Sequence, residues 1–239
     1  MQVPFANIYT FAKNNNFNSA ITLAISKYAM DLSDLRRDFG KNRKQAIGWP
    51  AQPFILFADW IQEAVRLKIT EPNAMTLSTC GADRAPSARI VLLKEFSEDE
   101  GFVFYTHYGS RKGLALSENP LASLHFFWRE TERQVSIEGT VYKVSPEKSD
   151  TYFSSRPRES RVSASLSPQS KTLSDPEILY KQWEILYNSR KEIRRPADWG
   201  GYRLVPERME FWQGGEHRLH HRMVYQKRAG TWHKSRLAP

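Results

Sequence analysis

Ala74-Met75-Thr76-Leu77-Ser78-Thr79-Cys80 alternates with period two. That pattern places Met75, Leu77 and Thr79 on one face and predicts a half-buried β-strand. The same habit recurs downstream. Arg89–Leu93 and Phe102–Thr106 are rich in β-branched and aromatic residues, as are Leu121–Trp128 and Gln134–Val144. After Trp199-Gly200-Gly201 four more strands are expected: Tyr202–Val205, Met209–Trp212, Met223–Gln226 and Thr231–Arg236. Helices interrupt this series at a few places. From Pro53, the residues Phe57, Trp60, Ile61, Ala64, Val65 and Lys68 fall at helical spacing. Ser110 caps a short helix that Asn119-Pro120 stops, Ser145-Pro146-Glu147 opens another, and Ser174-Asp175-Pro176-Glu177 opens one running to about Arg190. Regular strand–helix alternation is missing, and neither GxGxxG nor GxxxxGK[ST] occurs, so a doubly wound nucleotide-binding sheet is excluded. The expected class is α+β, mainly antiparallel: one domain built on an antiparallel barrel, with no internal repeat and no long linker. Residues 1 to about 50 lack sustained periodicity and read as an extension with short helical pieces. The first 30, poor in acids and rich in Asn, read as a disordered extension or as a transit peptide.

Bulk properties narrow the function classes. Of 239 residues 40% are hydrophobic and 13% aromatic, enough for a sizeable core. No stretch approaches the roughly 18 apolar residues of a membrane span. Ala20–Ala29 is broken by Ser26 and Lys27 and lacks a basic leader, so no secretory signal is expected. Cys80 is the only cysteine, which excludes an intrachain disulfide and a cysteine-rich metal cluster and fits a reducing, cytoplasmic setting. Lys plus Arg total 35 against 26 acids, a net charge of +9 that favours anionic partners: nucleic acid, a membrane surface or phosphorylated small molecules. The cations are mostly scattered. The densest group, Arg36, Arg37, Lys41, Arg43 and Lys44, reads by itself as a solvated segment.

Several stretches carry chemistry. Arg89-Ile90-Val91-Leu92-Leu93-Lys94 is an apolar strand with a cation at each end; it is either a core strand with solvated ends or a strand whose cations reach phosphates at a barrel rim. In Tyr105-Thr106-His107-Tyr108-Gly109-Ser110-Arg111-Lys112 a strand ends, a glycine turn follows and a helix begins with two cations. That is a phosphate-binding arrangement or an ordinary capped helix. Gln134, at a strand start, suits the edge of a flat heterocycle or the surface. Tyr152, Arg156 and Ser160 are spaced to converge on one phosphate, or to sit in a helix end and a polar loop. Phe211–Arg222 holds His217, His220 and His221 with Arg218 and Arg222. The arginines repel a cation and no acid or cysteine cluster accompanies the histidines, so an anionic ligand is expected and no metal. Strand alternation would put Arg218, His220 and Arg222 on one face, with Leu219 and His221 on the other.

These residues resemble the pyridoxine/pyridoxamine 5′-phosphate oxidases from about Leu35 to Pro239. The matching blocks are RIVLLK (89–94), FYTHYGSRKG (104–113), NPLASLHFFW (119–128), ERQVSIEG (132–139), YFSSRPRES (152–160), PQS (168–170), WGGYRL (199–204), EFWQGGEHRLHHR (210–222) and RLAP (236–239). The resemblance implies a split β-barrel with peripheral helices over residues 35–239, residues 1–34 being an extension. It implies a homodimer with FMN at the interface. The FMN contacts it implies are Arg89, Ile90, Val91, Leu92, Leu93, Lys94, Tyr105, Thr106, Arg111, Lys112, Gln134, Gln169, Ser170, Trp212 and Arg222. Lys94, Tyr152, Arg156 and Ser160 would hold the substrate phosphate. Arg218, Leu219 and His220 would meet the substrate, with Arg218 and His220 as the catalytic pair at its ring, and Arg36 would fold over it as part of an N-terminal lid.

The implied reaction converts pyridoxamine or pyridoxine 5′-phosphate to pyridoxal 5′-phosphate. A hydride leaves C4′ for the flavin, the amine's imine is hydrolysed to aldehyde and ammonia, and O2 is reduced to H2O2. Two phosphorylated ligands call for two cationic pockets, Arg89/Arg111/Lys112 and Lys94/Arg156. The basic balance then needs neither nucleic acid nor membrane. Five positions depart from the family pattern: His221 stands where an acid is usual, Phe39 where Tyr is common, Ser163 and Ser165 where Gly and Trp are usual, and Arg194 where proline is common. The alternative within this fold is a flavin reductase or vitamer-binding protein without oxidase activity.

Overall fold

The computed structural model describes Phe39 and residues 48–239, all within the unit Phe39–Pro239. The expected lid with Arg36, and the boundary at residue 34, lie outside the described residues. In chain order the elements are α1 (Pro53–Arg66), β1 (Ala74–Cys80), β2 (Pro86–Leu92), β3 (Glu95–Ser97), β4 (Gly101–His107), α2 (Arg111–Glu118), β5 (Leu121–Trp128), β6 (Arg133–Lys143), α3 (Pro146–Ser155), α4 (Arg158–Leu166), α5 (Pro176–Asn188), β7 (Trp199–Gln213), β8 (His221–Arg228) and β9 (Thr231–Leu237). No helix among them is long and apolar enough to cross a membrane.

The strands form one antiparallel sheet in the order β2-β1-β5-β6-β7-β4-β3, with β8 branching from β7 and carrying β9. The period-two reading of β1 holds: Met75, Leu77 and Thr79 are buried and their neighbours half-buried. The sheet curls until its far edges approach, and the Lys94 N–H donates to Val103 O on β4 at 2.9 Å. This antiparallel α+β half-barrel is the expected class. Helix α1 lays Phe54, Phe57, Trp60, Ile61 and Ala64 into the curl, while Val65, counted with them in the sequence, is exposed. Phe57 packs edge-on against Phe96, Phe102 and Phe126 and lies tilted over Trp128. Arg133 at the start of β6 is ion-paired with Glu63 of α1, fixing the helix across the sheet.

Two elements differ from expectation. The strands foreseen at Tyr202–Val205 and Met209–Trp212 are one strand of 15 residues, β7. Pro206 and the charged pair after it hide the continuity, because the chain passes them at a bulge where β6 shifts register between Glu138 and Gly139. A Cβ at Gly139 would lie 2.0 Å from Val205 O, so the strands close here only on glycine. The second is α4, which reads as polar loop in the sequence. Its serines bond back to the helix, Ser163 Oγ to Glu159 O and Ser165 Oγ to Arg161 O, and only Val162 and Ala164 are buried, so little apolar periodicity marks it. Helices α3, α4 and α5 gather a second apolar cluster of Phe153, Val162, Ala164, Ile193 and Trp199 against β4 and β7.

Phe57→Ala opens a cavity at the convergence of five aromatic side chains. A loss of about 3–5 kcal/mol is expected in denaturant unfolding; a loss under about 1 kcal/mol would mean that α1 does not anchor the core.

Candidate active site

A cavity of about 700 Å³ lies between the β2–β4 wall and the α3–α4 pair. The β2 side supplies Arg89, Ile90, Val91 and Leu92, with Lys94 just beyond the strand end. The end of β4 supplies Tyr105, Thr106 and His107, the first turn of α2 supplies Lys112, and Gln169 comes from the loop after α4. The helical side supplies Tyr152 late in α3, Arg156 in the break between helices and Ser160 in the first turn of α4. The break at Arg156-Pro157 turns this triplet inward. The structure therefore brings Arg89 and Lys112 of one expected phosphate set into the same cavity as Lys94 and Arg156 of the other, where the sequence suggested separate pockets; Arg111 does not line it. Arg89 and Lys94 are five residues apart along extended chain, roughly 16 Å at the usual rise.

Leu93 departs from this set. Its side chain is 4% exposed in the core, its N–H donates to Asn73 O, and its carbonyl accepts from Asn73 Nδ2, so no group of Leu93 faces the cavity. Ile90, by contrast, is 64% exposed.

Electrostatically the cavity is built for anions. Arg89, Lys94, Lys112 and Arg156 line it against one carboxylate, Glu159, which already accepts from Tyr187 Oη. Lys112 Nζ is buried and finds only neutral oxygens: Gln169 Oε1 at 2.9 Å, Thr106 Oγ1 at 3.2 Å and Ser110 Oγ at 3.4 Å. Burial, reinforced by the Arg89 charge, pushes its ammonium down to about 8. Arg89 likewise donates to neutral partners, Leu77 O, Thr79 Oγ1 and Ser87 Oγ, and is lowered by burial and by Arg111. Arg156 lies 4.7 Å from the Trp199 ring centroid, and its Nη1 is buried with no hydrogen-bond partner among the described residues. A donor set of this kind, part-buried cations with vacant N–H groups, fits phosphorylated ligands such as FMN and the B6 vitamers. Tyr105 stacks on Tyr152 at 3.8 Å and on Trp199 at 5.6 Å. Burial raises the Tyr105 phenol to about 12, so it stays a protonated donor.

The remaining candidates lie elsewhere on the chain. Gln134, Trp212 and Arg222 stand in cross-strand register on β6, β7 and β8 and line a second cavity of about 280 Å³ with Ser136, Glu210 and Pro239. Arg111 and Ser170 line a third, of about 350 Å³. The expected alternation of Arg218, His220 and Arg222 does not occur. Residues Glu216–Arg218 form a 3-10 turn with His217 and Arg218 at φ 53° and 63°, and β8 starts only at His221. Gly215 permits this fold-back, since a Cβ there would meet Leu219 O at 2.2 Å.

Arg218 and Leu219 are exposed at this turn. His220 rests on Trp212, ring centroids 4.6 Å apart, and Phe39 stands edge-on to both rings. The Gly215 N–H donates to His220 Nδ1, which assigns the neutral ring its proton on Nε2. Burial and the nearby Arg218, Arg222 and His221 lower His220, favouring that neutral form. Sequence reasoning missed Trp199 and His107 in the main cavity. Trp199 sat in a quoted motif without a role, and His107 is buried and lowered chiefly by that burial.

Residues 61–187 match the family model described as pyridoxamine 5′-phosphate oxidase. Residues 199–239 match the pyridoxine 5′-phosphate oxidase C-terminal dimerisation region. A pyridoxine/pyridoxamine 5′-phosphate oxidase of Actinobacillus pleuropneumoniae serotype 5b (strain L20) is 47% identical over 211 residues, covering 88% of this chain and 100% of the relative. Among solved structures, PhzG from Burkholderia lata 383, in complex with tetrahydrophenazine-1-carboxylic acid, superposes with TM-score 0.77 at 33% identity over 80% of this chain and 94% of that one. A pyridoxamine 5′-phosphate oxidase-related, FMN-binding protein of Nostoc punctiforme PCC 73102 shares the fold, with TM-score 0.65 at 15% identity over 80% of this chain and 100% of that one.

The Lys112 environment predicts opposite pH trends with and without a phosphate ligand. Between about 8 and 10.5 the unfolded chain holds more protons on this lysine than the folded one. Its contribution to apoprotein stability therefore rises with pH across that window. Phosphate binding needs the ammonium, so the stabilisation conferred by saturating FMN, read as a melting-temperature increment, should shrink between about pH 7 and about pH 9. An increment independent of pH would remove Lys112 from phosphate binding.

Proposed function

This chain belongs to the pyridoxine/pyridoxamine 5′-phosphate oxidase family, and on that premise we propose that its main cavity holds the phosphates of both FMN and substrate. The protein is an oxidoreductase with FMN as cofactor, converting pyridoxine or pyridoxamine 5′-phosphate to pyridoxal 5′-phosphate. The observation that carries the site reading is the excess of cations lining one cavity, Arg89, Lys94, Lys112 and Arg156 against one engaged carboxylate, with all but Lys94 at least part-buried. Arg89 and Lys112 take the FMN phosphate, with Thr106 and Gln169 beside them; Arg111, near enough to Arg89 to lower it, and Ser170 complete the set from the third cavity. Lys94, Tyr152, Arg156 and Ser160 take the substrate phosphate. Charge-assisted and bidentate contacts orient both ligands as well as hold them.

Bound FMN supplies the two-electron redox chemistry. The protein's part is orientation, exclusion of water and proton placement. The aromatic stack Tyr152–Tyr105–Trp199 backs the cavity and holds Arg156 by its guanidinium face. Arg218 and His220 position the substrate ring, His220 as a neutral ring offering Nε2–H. Leu219 contributes apolar contact. O2 is the acceptor, so pyridoxamine 5′-phosphate, water and O2 give pyridoxal 5′-phosphate, ammonia and H2O2. The domain is residues 35–239, with 1–34 an extension.

FMN sits at the interface of a homodimer in this proposal. Two facts support it. Gln134, Trp212 and Arg222 line a cavity distinct from the phosphate cavity of the same chain. Trp212 and Arg222 also fall inside the matched dimerisation region. Exposed Ile90, and Phe127 in register with Gln134, give the apolar surface such an interface requires. The single cysteine supports a cytoplasmic setting.

Purified protein given FMN and pyridoxamine 5′-phosphate in air should yield pyridoxal 5′-phosphate and H2O2 in equal amounts. Arg156→Ala should lower kcat/KM on the order of a hundredfold. Tight FMN binding without product would move the protein to the reductase or vitamer-binding alternative. For the shared site, inactive Lys112→Ala and Arg222→Ala subunits should recover activity when refolded together, because half of the sites in the mixed dimer are intact. Absence of recovery would place both residues in one subunit's site.

A further inference from the structure

Arg222 departs from the family in its setting: the position before it holds His221 where an acid is usual. His221 is exposed and takes no part in the bonds that hold the arginine. The acid that does so comes from the neighbouring strand. Glu210 Oε1 accepts from Arg222 Nε at 2.9 Å and Nη2 at 2.6 Å, while Arg222 Nη1 donates to Ala238 O at 3.0 Å. Glu210 Oε2 accepts from Arg208 Nη2 at 2.6 Å, and Arg208 Nη1 reaches Glu138 Oε1 at 2.7 Å. The Glu210 side chain is 15% exposed and lines the same cavity as Gln134, Trp212 and Arg222. A guanidinium has five N–H groups; these contacts leave two, one on each terminal nitrogen, with their plane set by the carboxylate.

We propose that Glu210 is a positioning residue that fixes the Arg222 guanidinium for flavin binding, making an acid at position 221 dispensable. The proposal rests on the reading that Arg222 contacts FMN. Long side chains lose rotamer freedom on binding; an arginine already pinned by a carboxylate has lost it beforehand. Glu210 has a second neighbour of consequence. His125 on β5 bonds Ser136 Oγ through Nδ1 at 2.8 Å, and Ser136 faces Glu210 in register on β6. Positioning and plain electrostatics make opposite forecasts. Removing the Glu210 charge leaves Arg208 and Arg222 less compensated, so electrostatics alone would tighten binding of an anionic flavin phosphate. Loss of positioning weakens it.

The test is a double-mutant cycle on FMN affinity, read by quenching of flavin fluorescence on titration of apoprotein, with apoprotein melting temperature as control. Glu210→Gln should weaken FMN by about tenfold, within the range for groups in one ion-pair network, and should add little in an Arg222→Ala background. The absorption spectrum of bound FMN in Glu210→Gln should move toward that of Arg222→Ala, a change that lost stability alone does not produce. Glu210→Asp keeps the charge but withdraws the carboxylate; it should weaken FMN as well and provides the readout should the glutamine variant fold poorly. His221→Asp should stay within about twofold of the parent. Unchanged or tighter binding in Glu210→Gln or Glu210→Asp, with Arg222→Ala weak, overturns the positioning role and leaves the Arg222 reading intact. Unchanged binding in Arg222→Ala overturns both.

Discussion

Strand β7 carries hydrogen bonds to three neighbours, and the site depends on that division. All of β6 pairs along one edge; on the other, Trp199–Leu204 pairs with β4 and Arg208–Gln213 with β8. One edge cannot serve two strands over the same residues, so the sheet parts in the middle of β7, next to the bulge at Gly139 and Pro206. The first half presents Trp199 to the phosphate cavity. The second presents Glu210 and Trp212 to the other cavity. A single strand thus supplies two cavities that do not merge within a subunit, and the register of the bulge decides which residues reach each.

The phosphate cavity is costly to the unliganded fold. Lys112 is buried among neutral oxygens, Arg156 Nη1 is orphaned, and the cations lower one another. The cost is met by the surrounding packing: the Phe57-centred core on one side, and on the other the α3–α5 cluster, where Arg158 ties α4 to α5 through the carbonyls of Leu186, Tyr187, Ser189 and Lys191. In the proposed site, ligand phosphates would remove this strain by supplying the missing charge. Cofactor binding and stability are accordingly two aspects of one electrostatic balance.

The parts of the fold written in short-range pattern were legible in the sequence. β1, the capped starts of α2, α3 and α5, and the core face of α1 all follow from period and cap residues. Pro206 concealed the continuity of β7, and serines bonded back to their own helix concealed α4. For the site, Tyr152, Arg156 and Ser160 were legible as a set because an i, i+4, i+8 spacing survives the break at Pro157; Lys94 joined them only through the family resemblance. The turn after Gly215 was not, since left-handed backbone at His217 and Arg218 leaves no composition signal in residues that rarely adopt it. Glu210, Trp199 and His107 were invisible for a different reason. Their roles are set by cross-strand register and by burial against helices distant in sequence.

Register also explains why the histidine at 221 leaves the Arg222 ion pair in place. Read along the chain, His221 replaces the acid adjacent to Arg222. Adjacent residues on a strand point to opposite faces, so an acid at 221 would stand on the side away from the guanidinium. The residue able to meet Arg222 is diagonal to it on β7, and that residue is Glu210. The ionic partner of Arg222 is therefore a property of the β7–β8 pairing, and it survives any change at 221 that leaves the pairing intact.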